Sequence, residues 1–505
     1  MQPFSFYHDF IPKFWAAAAT EVAASPIHRL CTLARKMGVR SFIVEDALER
    51  EEVREEIDYL DEVSPFDDGE VSAAVVTFLS IDAVDGADPP PLKRADVIGQ
   101  AVLVTYPTKE GGRHSFVFEA FFRLCARDGE YLLLNHHVPI AAAFDLSVAN
   151  QTVKLVGSYF CQQNGISSVC AHSAVRTLLM NRSRRRISIS ELNKAWDIDP
   201  AAGKVGVKNV AASLEALNLT VTRYDFLARR PADAMSNDGI WSLLASLAES
   251  GTPTLLVFET GPKSDHVVPV LGHTLNSDEW HPHGALSHLD DQHQTTSSSL
   301  WIDHLIINDD QLGPYFCISR TGLFETATTP NAIRPKYVIA LLPDGFDNSP
   351  YAAETLARAE FKRLLASAAS IFSDPPRWIT LLQTTAERRI FRTILTTREE
   401  YLASLRSGLK GETTSETQAI LGEVAAKLPD SFWMCEVSLP NILLANRAKL
   451  GEILVSTSKK PRPEIFAIRL PGLIATLGKD RLKAFRFPID SHIPLHAPGH
   501  NPNRW

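Results

Sequence analysis

The residue in this sequence best placed to do chemistry is Cys170, which follows a polar, glycine-containing loop. In the run VCAHSAVRTLLMN the apolar residues recur at the spacing of a buried helix. We therefore expect Cys170 in the first turn of a helix, with Ser167 or Ser168 as its cap. The partial positive charge and unpaired N–H groups at a helix N-terminus favour the thiolate, the reactive form of cysteine. The position predicts a nucleophile.

Two glutamines precede this cysteine. Gln162 and Gln163 lie eight and seven residues upstream of Cys170, and Asn164 lies six residues upstream. A loop of this length can fold a glutamine amide back toward the thiol, where it would donate a hydrogen bond to an oxyanion on a substrate carbonyl. We take Gln163 as the oxyanion donor and Gln162 as the alternative.

A nucleophile of this kind needs a base. The run HVVPVLGHT has the composition of a strand that begins at His266, and His273 follows seven residues later. An odd offset along a strand places the two side chains on opposite faces, so only one of them can serve the thiol. We take His266 as the base because the apolar run after it indicates a buried strand, and we keep His273 as the alternative.

The base in turn needs an acid that orients it. The strand-like run LWIDHLIINDDQLGPY ends in Asn308, Asp309 and Asp310. A histidine at the start of one strand lies beside the end of a neighbouring antiparallel strand. We take Asp309 as the orienting acid, with Asn308 and Asp310 as alternatives.

The segment from about Ser158 to Pro314 resembles the papain-like cysteine peptidases, and more narrowly the bacteriocin-processing peptidases that cleave double-glycine leaders. The run QQNGISSVCAHSAVRTLL resembles the family's glutamine loop and cysteine helix. The runs HVVPVLGHT and IINDDQLGPY resemble the strands that carry the catalytic histidine and the third member of the triad. The resemblance covers about a third of the chain.

The resemblance implies a cysteine peptidase that cleaves an amide bond of a peptide or protein through a thioester. Cys170 would attack, His266 would move the proton and Asp309 would orient the imidazole. Gln163 would stabilise the oxyanion, and no cofactor would be needed. Acyltransferases of the transglutaminase or arylamine acetyltransferase type use the same triad and are one alternative. A non-catalytic papain-like module inside an interaction protein is another.

The fold class expected from the pattern of apolar runs is α+β, with four regions. Residues 1–70 are expected to be helical, including an amphipathic helix over Val44–Val63. Residues 71–157 hold β-branched and aromatic runs between turn-rich pieces, which predicts a small antiparallel β domain. Residues 158–345 form the expected papain-like catalytic domain, and residues 346–505 a C-terminal α/β domain. In the last region, Thr397 and Glu400 have the spacing of a capping box.

Composition limits the remaining classes of function. The net charge of -8 gives no general attraction to nucleic acid. The 6 cysteines show no CxxC spacing, which argues against a disulfide scaffold and favours a reducing compartment. The sequence has no secretory signal pattern and no apolar run of about 18 residues. We therefore expect a soluble, cytoplasmic, multidomain protein.

One histidine-rich stretch offers an alternative chemistry. Residues 276–300 read as a long polar loop that contains His281 and His283, with Asp290 and Asp291 as further candidate metal ligands. The chain has neither an HExxH motif nor a cysteine cluster to support a zinc site. We interpret the stretch as a polar surface loop and expect no metal.

Overall fold

The structure is a computed structural model. It describes residues 2–3, 25–65, 70–82, 90–108, 112–124, 136–139, 142–166, 170–198, 210–227, 235–261, 264–274, 295–324, 333–343, 345–367, 379–380, 382, 389–408, 415–439, 449–459, 464–470, 473–477 and 482–486. Among these residues no helix combines the length and the apolar character that a membrane span requires.

The helices and strands follow one another along the chain with frequent alternation. The helices are α1 (Ser25–Lys36), α2 (Glu51–Val63), α3 (Cys170–Ser183), α4 (Ile189–Trp196), α5 (Val210–Ala216), α6 (Asn237–Glu249), α7 (Arg320–Phe324), α8 (Pro350–Ala366), α9 (Arg398–Gly408) and α10 (Ser415–Lys427), with a 3-10 helix at Ser298–Trp301. The strands are β1 (Gln2–Pro3), β2 (Ser41–Asp46), β3 (Ser72–Leu79), β4 (Val97–Pro107), β5 (Arg113–Phe122), β6 (His136–His137), β7 (Ala142–Val148), β8 (Gln151–Phe160), β9 (Thr222–Asp225), β10 (Thr254–Gly261), β11 (Ser264–Thr274), β12 (Thr295–Ser297), β13 (His304–Asp309), β14 (Gly313–Ser319), β15 (Arg334–Ala340), β16 (Arg389–Thr397), β17 (Ser431–Ser438), β18 (Gly451–Val455), β19 (Ile465–Leu470), β20 (Leu473–Leu477) and β21 (Leu482–Arg486).

The chain divides into two compact units that interleave along the sequence. Unit 1 comprises Met1–Leu227, Gly251–Thr274 and His304–Leu341, and unit 2 comprises Ala228–Ser250, Leu275–Asp303 and Leu342–Trp505. Both units combine helices with largely antiparallel sheets, so the mixed α and β class expected from the sequence is what the structure has.

The first sheet of unit 1 has the strand order β1-β2-β3-β4-β5-β8-β7 and is antiparallel. Helices cover both of its faces. Along β3, Val76 packs in the core that includes residues of α1, whereas its neighbour Val75 packs in the core that includes Val53 and Leu60 of α2. Successive side chains of a strand point to opposite faces, so a strand buried on both sides reads as a continuous apolar run.

One expectation about this region was wrong. The predicted helix over Val44–Val63 begins only at Glu51, and Ser41–Asp46 is the strand β2. The segment SFIVED pairs residue by residue with β3, from Ser41 opposite Leu79 to Asp46 opposite Ala74. Its aromatic and β-branched residues suit a strand, and the neighbouring sheet edge supplies the hydrogen bonds.

The second sheet of unit 1 has the order β14-β13-β11-β10-β15-β9, and β6 pairs with β11. Helix α3 packs on this sheet, where Val175 and Leu178 share a core with Val257 and Val267. This packing places the start of α3 against the strands that were expected to carry the base and the acid.

The four predicted regions do not coincide with the two units. Strand β8 runs across the expected boundary between residues 157 and 158 and pairs with β5 of the first sheet. One hydrophobic core also joins Phe122 of the first sheet to Leu271 and Ile306 of the second. Shared burial therefore makes the expected β domain and the expected catalytic domain parts of one unit, while α6 and β12 belong to unit 2.

Unit 2 is built on a sheet with the order β12-β16-β17-β18-β19-β20-β21, in which only the described pair β12–β16 is parallel. Helices α6 and α8 pack against each other and against β16, and α9 and α10 contribute Tyr401 and Val424 to a core with residues of β16 and β17. The expected capping box starts α9: the Thr397 hydroxyl accepts from the Glu400 N–H at 3.2 Å, and the Glu400 carboxylate accepts from the Thr397 N–H at 3.0 Å.

Charged side chains cross the sheet of unit 2 in a line, which we call the charge row. Its members occupy directly opposed positions on β16 to β19 and two flanking sites: Arg392, Glu436, Glu452, Arg469, Lys449 and Glu249. Arg392 lies 2.8 Å from Glu249 and 2.9 Å from Glu436. Lys449 lies 2.6 Å from Glu436 and 2.7 Å from Glu452. Three cations thus meet three carboxylates inside the unit.

Candidate active site

The thiol of Cys170 belongs to the first residue of α3 and is half-buried. The following residues, from Ala171 to Asn181, are all buried. The core therefore holds the helix from every side and fixes the position of its first residue. At this end of a helix the partial positive charge of the peptide dipoles is largest. The expected caps, Ser167 and Ser168, lie outside the described residues.

Strand β11 brings His266 to this thiol. The imidazole makes a side-chain hydrogen bond with Cys170, and its Nε2 lies 3.1 Å from Oδ2 of Asp309. Because Nε2 faces the carboxylate, Nδ1 is the ring nitrogen left for the thiol. Phe258 is the partner of His266 on β10, and the two rings meet edge to face with centroids 5.4 Å apart. The phenyl ring screens this side of the imidazole from water.

The sheet geometry explains the meeting of the histidine and the acid. Strands β11 and β13 are antiparallel, with Val270 opposite Ile307. The start of β11 therefore lies beside the end of β13. His266 is the third residue of β11 and Asp309 is the last of β13, which places their side chains together.

Asp309 is held by its own backbone turn as well as by the histidine. Its Oδ1 accepts hydrogen bonds from the N–H groups of Gln311 at 2.8 Å and Leu312 at 3.0 Å. Its Oδ2 is thereby aimed at Nε2 of His266. A carboxylate with three hydrogen-bond partners has little freedom to rotate, and it fixes the orientation of the imidazole.

The pair is ionised at neutral pH. Burial alone lowers the pKa of His266, but hydrogen bonds with Asp309 and Cys170 and the nearby carboxylate charges outweigh burial and raise it to about 10. Burial alone would raise the pKa of Asp309, but the hydrogen bond and charge of His266 and two backbone N–H groups lower it. Both shifts favour an imidazolium beside a carboxylate.

The alternative base lies elsewhere on the same strand. His273 is near the other end of β11, opposite Leu305 of β13 and His137 of β6. It is fully buried, and its Nδ1 lies 2.8 Å from the carbonyl oxygen of Thr274. The structure places His266, and not His273, beside the acid.

Of the three polar side chains before the cysteine helix, two are buried and hydrogen-bonded to the rest of the unit, and one is less constrained. The Gln162 side chain is buried, and its Oε1 accepts from the Val117 N–H at 3.0 Å. The Asn164 side chain is also buried and donates to Glu56 at 2.8 Å. Gln163 is only half-buried, and its side chain has no hydrogen bond to another described residue. Within the described part of the chain, Gln163 therefore has the least constrained side chain of the three.

The two alternatives to Asp309 have different surroundings. Asn308 is a buried support: its Nδ2 donates to the carbonyl of Tyr159 at 2.8 Å, and its Oδ1 accepts from the N–H of Tyr315 at 3.0 Å. Asp310 is also buried, and one of its oxygens lies 3.5 Å from Nε2 of His266. Two carboxylates therefore face a single imidazole.

Buried polar groups that support the cysteine helix were not expected from the sequence. The guanidinium of Arg176 is buried on α3, 4.9 Å from the ring centre of Phe118. Glu56 is buried on α2 beside Val53 and Leu60, on the apolar face of that helix. A glutamate at a core position of an amphipathic helix indicates a buried polar partner, and this was the signal available in the sequence.

The described part of the chain holds one group of side chains close enough to share a metal ion: His266, Asp309 and Asp310. Because Nε2 of His266 is hydrogen-bonded to Asp309, we interpret the arrangement as an ion pair and not as a metal site. The alternative metal site at His281, His283 and the nearby aspartates lies outside the described residues.

Comparisons with known proteins bring no relative to this site. A scan against protein-family models, a search of curated proteins and a search of solved structures each find no match.

Proposed function

We propose that this chain is a papain-like cysteine hydrolase that cleaves an amide bond of a peptide or protein. One observation carries the proposal: His266 contacts Cys170 at a helix start and Asp309 at the same time. Nucleophilic catalysis by cysteine requires a thiol, a base that contacts the thiol and an acid that orients the base. The order of glutamine, cysteine, histidine and aspartate along the chain supports the resemblance to the papain-like family.

The first half of the proposed reaction forms a thioester. Nδ1 of the His266 imidazolium holds the proton given up by Cys170, and the thiolate sulfur attacks the carbonyl carbon of the scissile amide. The N–H groups at the start of α3 and the Gln163 amide donate to the resulting oxyanion. The carbon–nitrogen bond then breaks, and the imidazolium returns its proton to the departing amine.

The second half releases the acid product. A water molecule gives a proton to Nδ1 of His266 and attacks the thioester carbonyl. The carbon–sulfur bond breaks, and the proton stays on Nδ1 of His266 beside the sulfur of Cys170. Asp309 keeps the imidazole in one orientation through both halves. The reaction consumes one water and needs no redox partner, and a reducing compartment such as the cytoplasm would keep the thiol free.

Thiol labelling tests the nucleophile. We expect iodoacetamide at pH 7 to alkylate Cys170 much faster than Cys317, the other half-buried cysteine among the described residues of unit 1, as measured by mass spectrometry of peptide digests. Burial raises the pKa of Cys317, which disfavours its reactive form. Equal rates at the two cysteines would remove the basis of the proposal.

Peptide cleavage tests the reaction itself. The wild-type chain and a Cys317→Ser control should cleave members of a mixed synthetic peptide set, and Cys170→Ala should not. In water enriched in oxygen-18, the new C-terminal carboxylate should carry the heavy isotope. Transfer of the acyl group to an added amine without isotope uptake would instead show an acyltransferase.

A further inference from the structure

Asp310 is a buried acid that the proposed reaction does not use. Its side chain is 4% exposed, and neither of its oxygens has a hydrogen-bond partner in another described residue. Its only close positively charged neighbour there is Nε2 of His266, at 3.5 Å from Oδ1. A buried carboxylate without hydrogen bonds is costly unless an opposite charge compensates it.

The two neighbouring aspartates are held in different ways. Asp309 is fixed by two backbone N–H groups and the imidazole. Asp310 lines a narrow pocket with Cys161, Thr177 and Asn308, and its interaction with the imidazole is electrostatic. Two backbone N–H groups of the following turn therefore hold Asp309, whereas the ion pair of Asp310 among the described residues is with His266.

Three titratable groups face Asp310 from the elements packed around it. They are His266 on β11, the adjacent residue Asp309, and Cys161 directly after β8. The polar side chains that α3 presents to the same pocket, Ser173 and Thr177, carry no charge. His266 is the only one of these groups that can bring a positive charge to Asp310.

We propose that Asp310 is a positioning residue that shares the protonated imidazole of His266 with Asp309. This inference rests on the proposed function, since it assigns Asp310 to the ion pair that the hydrolase would use. Asp310 touches no reacting atom and acts through the histidine. Two carboxylates around one ring hold the proton on His266 more strongly than one, and they keep Nε2 directed away from the thiol.

The ionisation of Asp310 makes this contribution depend on pH. Burial raises the pKa of Asp310; the charge of His266 lowers it and that of Asp309 raises it, and the result is about 6. Above pH 6 the carboxylate is charged and stabilises the imidazolium. Below pH 6 it is neutral and this attraction is lost.

The test is the titration of His266, followed by NMR of its ring protons in the full chain. The wild-type ring should titrate near pH 10. In Asp310→Asn, which preserves shape and removes the charge, the midpoint should fall by about one pH unit or more. Asp265→Asn is the matched control: this acid adjoins His266 but pairs with Lys336, so its removal should shift the midpoint much less. Equal shifts in the two variants would overturn the proposal.

The wild-type chain provides a second measurement if the asparagine variant does not fold. The carboxyl carbon of Asp310 should titrate near pH 6, and the ring resonances of His266 should move in the same step. If the ring resonances of His266 do not shift while Asp310 titrates, the proposal is overturned. Neither titration needs a substrate. An unreactive Cys170 would therefore contradict the hydrolase assignment, and the two titrations would still decide the role of Asp310.

Discussion

The two units of the chain each bury a cluster of charged side chains, and the clusters differ in how completely they are neutralised. In unit 2 the charge row matches three cations with three carboxylates at 2.6 to 3.0 Å, and Tyr401 adds a hydrogen bond to Glu452 at 2.9 Å. In unit 1 two carboxylates face one imidazole, and the neighbouring thiol is half-buried.

The difference separates a cluster suited to stability from one suited to chemistry. A closed set of paired charges leaves no proton to move and no group open to a ligand. The cluster of unit 1 has one acid more than it has bases, and its histidine can exchange a proton with the thiol. Perturbed ionisable groups beside a partly exposed nucleophile are typical of active sites. Substitutions in the cluster of unit 1 should therefore act mainly on reaction rates, and substitutions in the charge row should act on the free energy of unfolding.

The largest effect on chemistry is expected for His266→Ala. Without its base, the chain should lose about 10³- to 10⁴-fold in kcat/KM for a p-nitrophenyl ester or a cleaved peptide. His273→Gln is the matched control, since this histidine lies on the same strand without contacting the acid. A similar loss in the control, measured by steady-state kinetics, would mean that the base has been misassigned.

The largest effect on stability is expected for Arg392→Met in the charge row. The substitution leaves the buried carboxylates of Glu249 and Glu436 without their shared cation, and the free energy of unfolding should fall by about 3–5 kcal/mol. Arg398→Ala, which removes an exposed ion pair with Asp430, should cost about 0–1 kcal/mol. Urea denaturation measures both, and equal costs would contradict the view of the row as a closed cluster.

A smaller and more selective effect is expected for Gln163→Ala. Acylation by a p-nitrophenyl ester passes through an oxyanion, whereas alkylation by iodoacetamide does not. The variant should therefore lose about 10²- to 10³-fold in ester acylation and retain its alkylation rate. Gln162→Ala, which removes a hydrogen bond from the Val117 backbone, should affect the two rates equally. Stopped-flow kinetics measures both rates, and an equal loss of ester acylation and alkylation in Gln163→Ala would contradict its role as oxyanion donor.

The smallest expected effect is on the pH dependence of stability. The pKa of His266 rises from its usual 6.5 to about 10 on folding, so the protonated ring stabilises the fold. This contribution is complete below about pH 6.5 and is lost as pH rises through 10. Between pH 8 and pH 10 the wild-type chain should lose about 2 kcal/mol more unfolding free energy than His266→Ala. Parallel curves for the two proteins in urea would contradict the ionised pair.

Local features and the closeness of neighbouring strands could be predicted from the sequence. The helix start at Cys170 followed from the apolar spacing, and the capping box at Thr397 followed from two residues three positions apart. The closeness of His266 and Asp309 followed from placing the start of one strand beside the end of the next. These inferences needed only the periodicity of helices and strands.

Other features depend on contacts between distant residues, and the sequence could not supply them. The segment Ser41–Asp46 is a strand because the edge of β3 is there to pair with it. Arg392 and Glu436 read as ordinary charged residues, and only the register of β16 with β17 makes them a buried pair. The choice between Asn308, Asp309 and Asp310 depended on a turn that one residue of slip would have changed.

The interleaving of the two units has a consequence for synthesis on the ribosome. Two lengths of unit 2 are made before unit 1 is complete, and Glu249 emerges 143 residues ahead of Arg392, its partner in the charge row. At about 5–20 residues per second, that carboxylate waits roughly 7–30 seconds for its cation. Neither length of unit 2 can complete its fold on its own. Both stay unpaired in the nascent chain until the C-terminal strands of unit 2 have been synthesised.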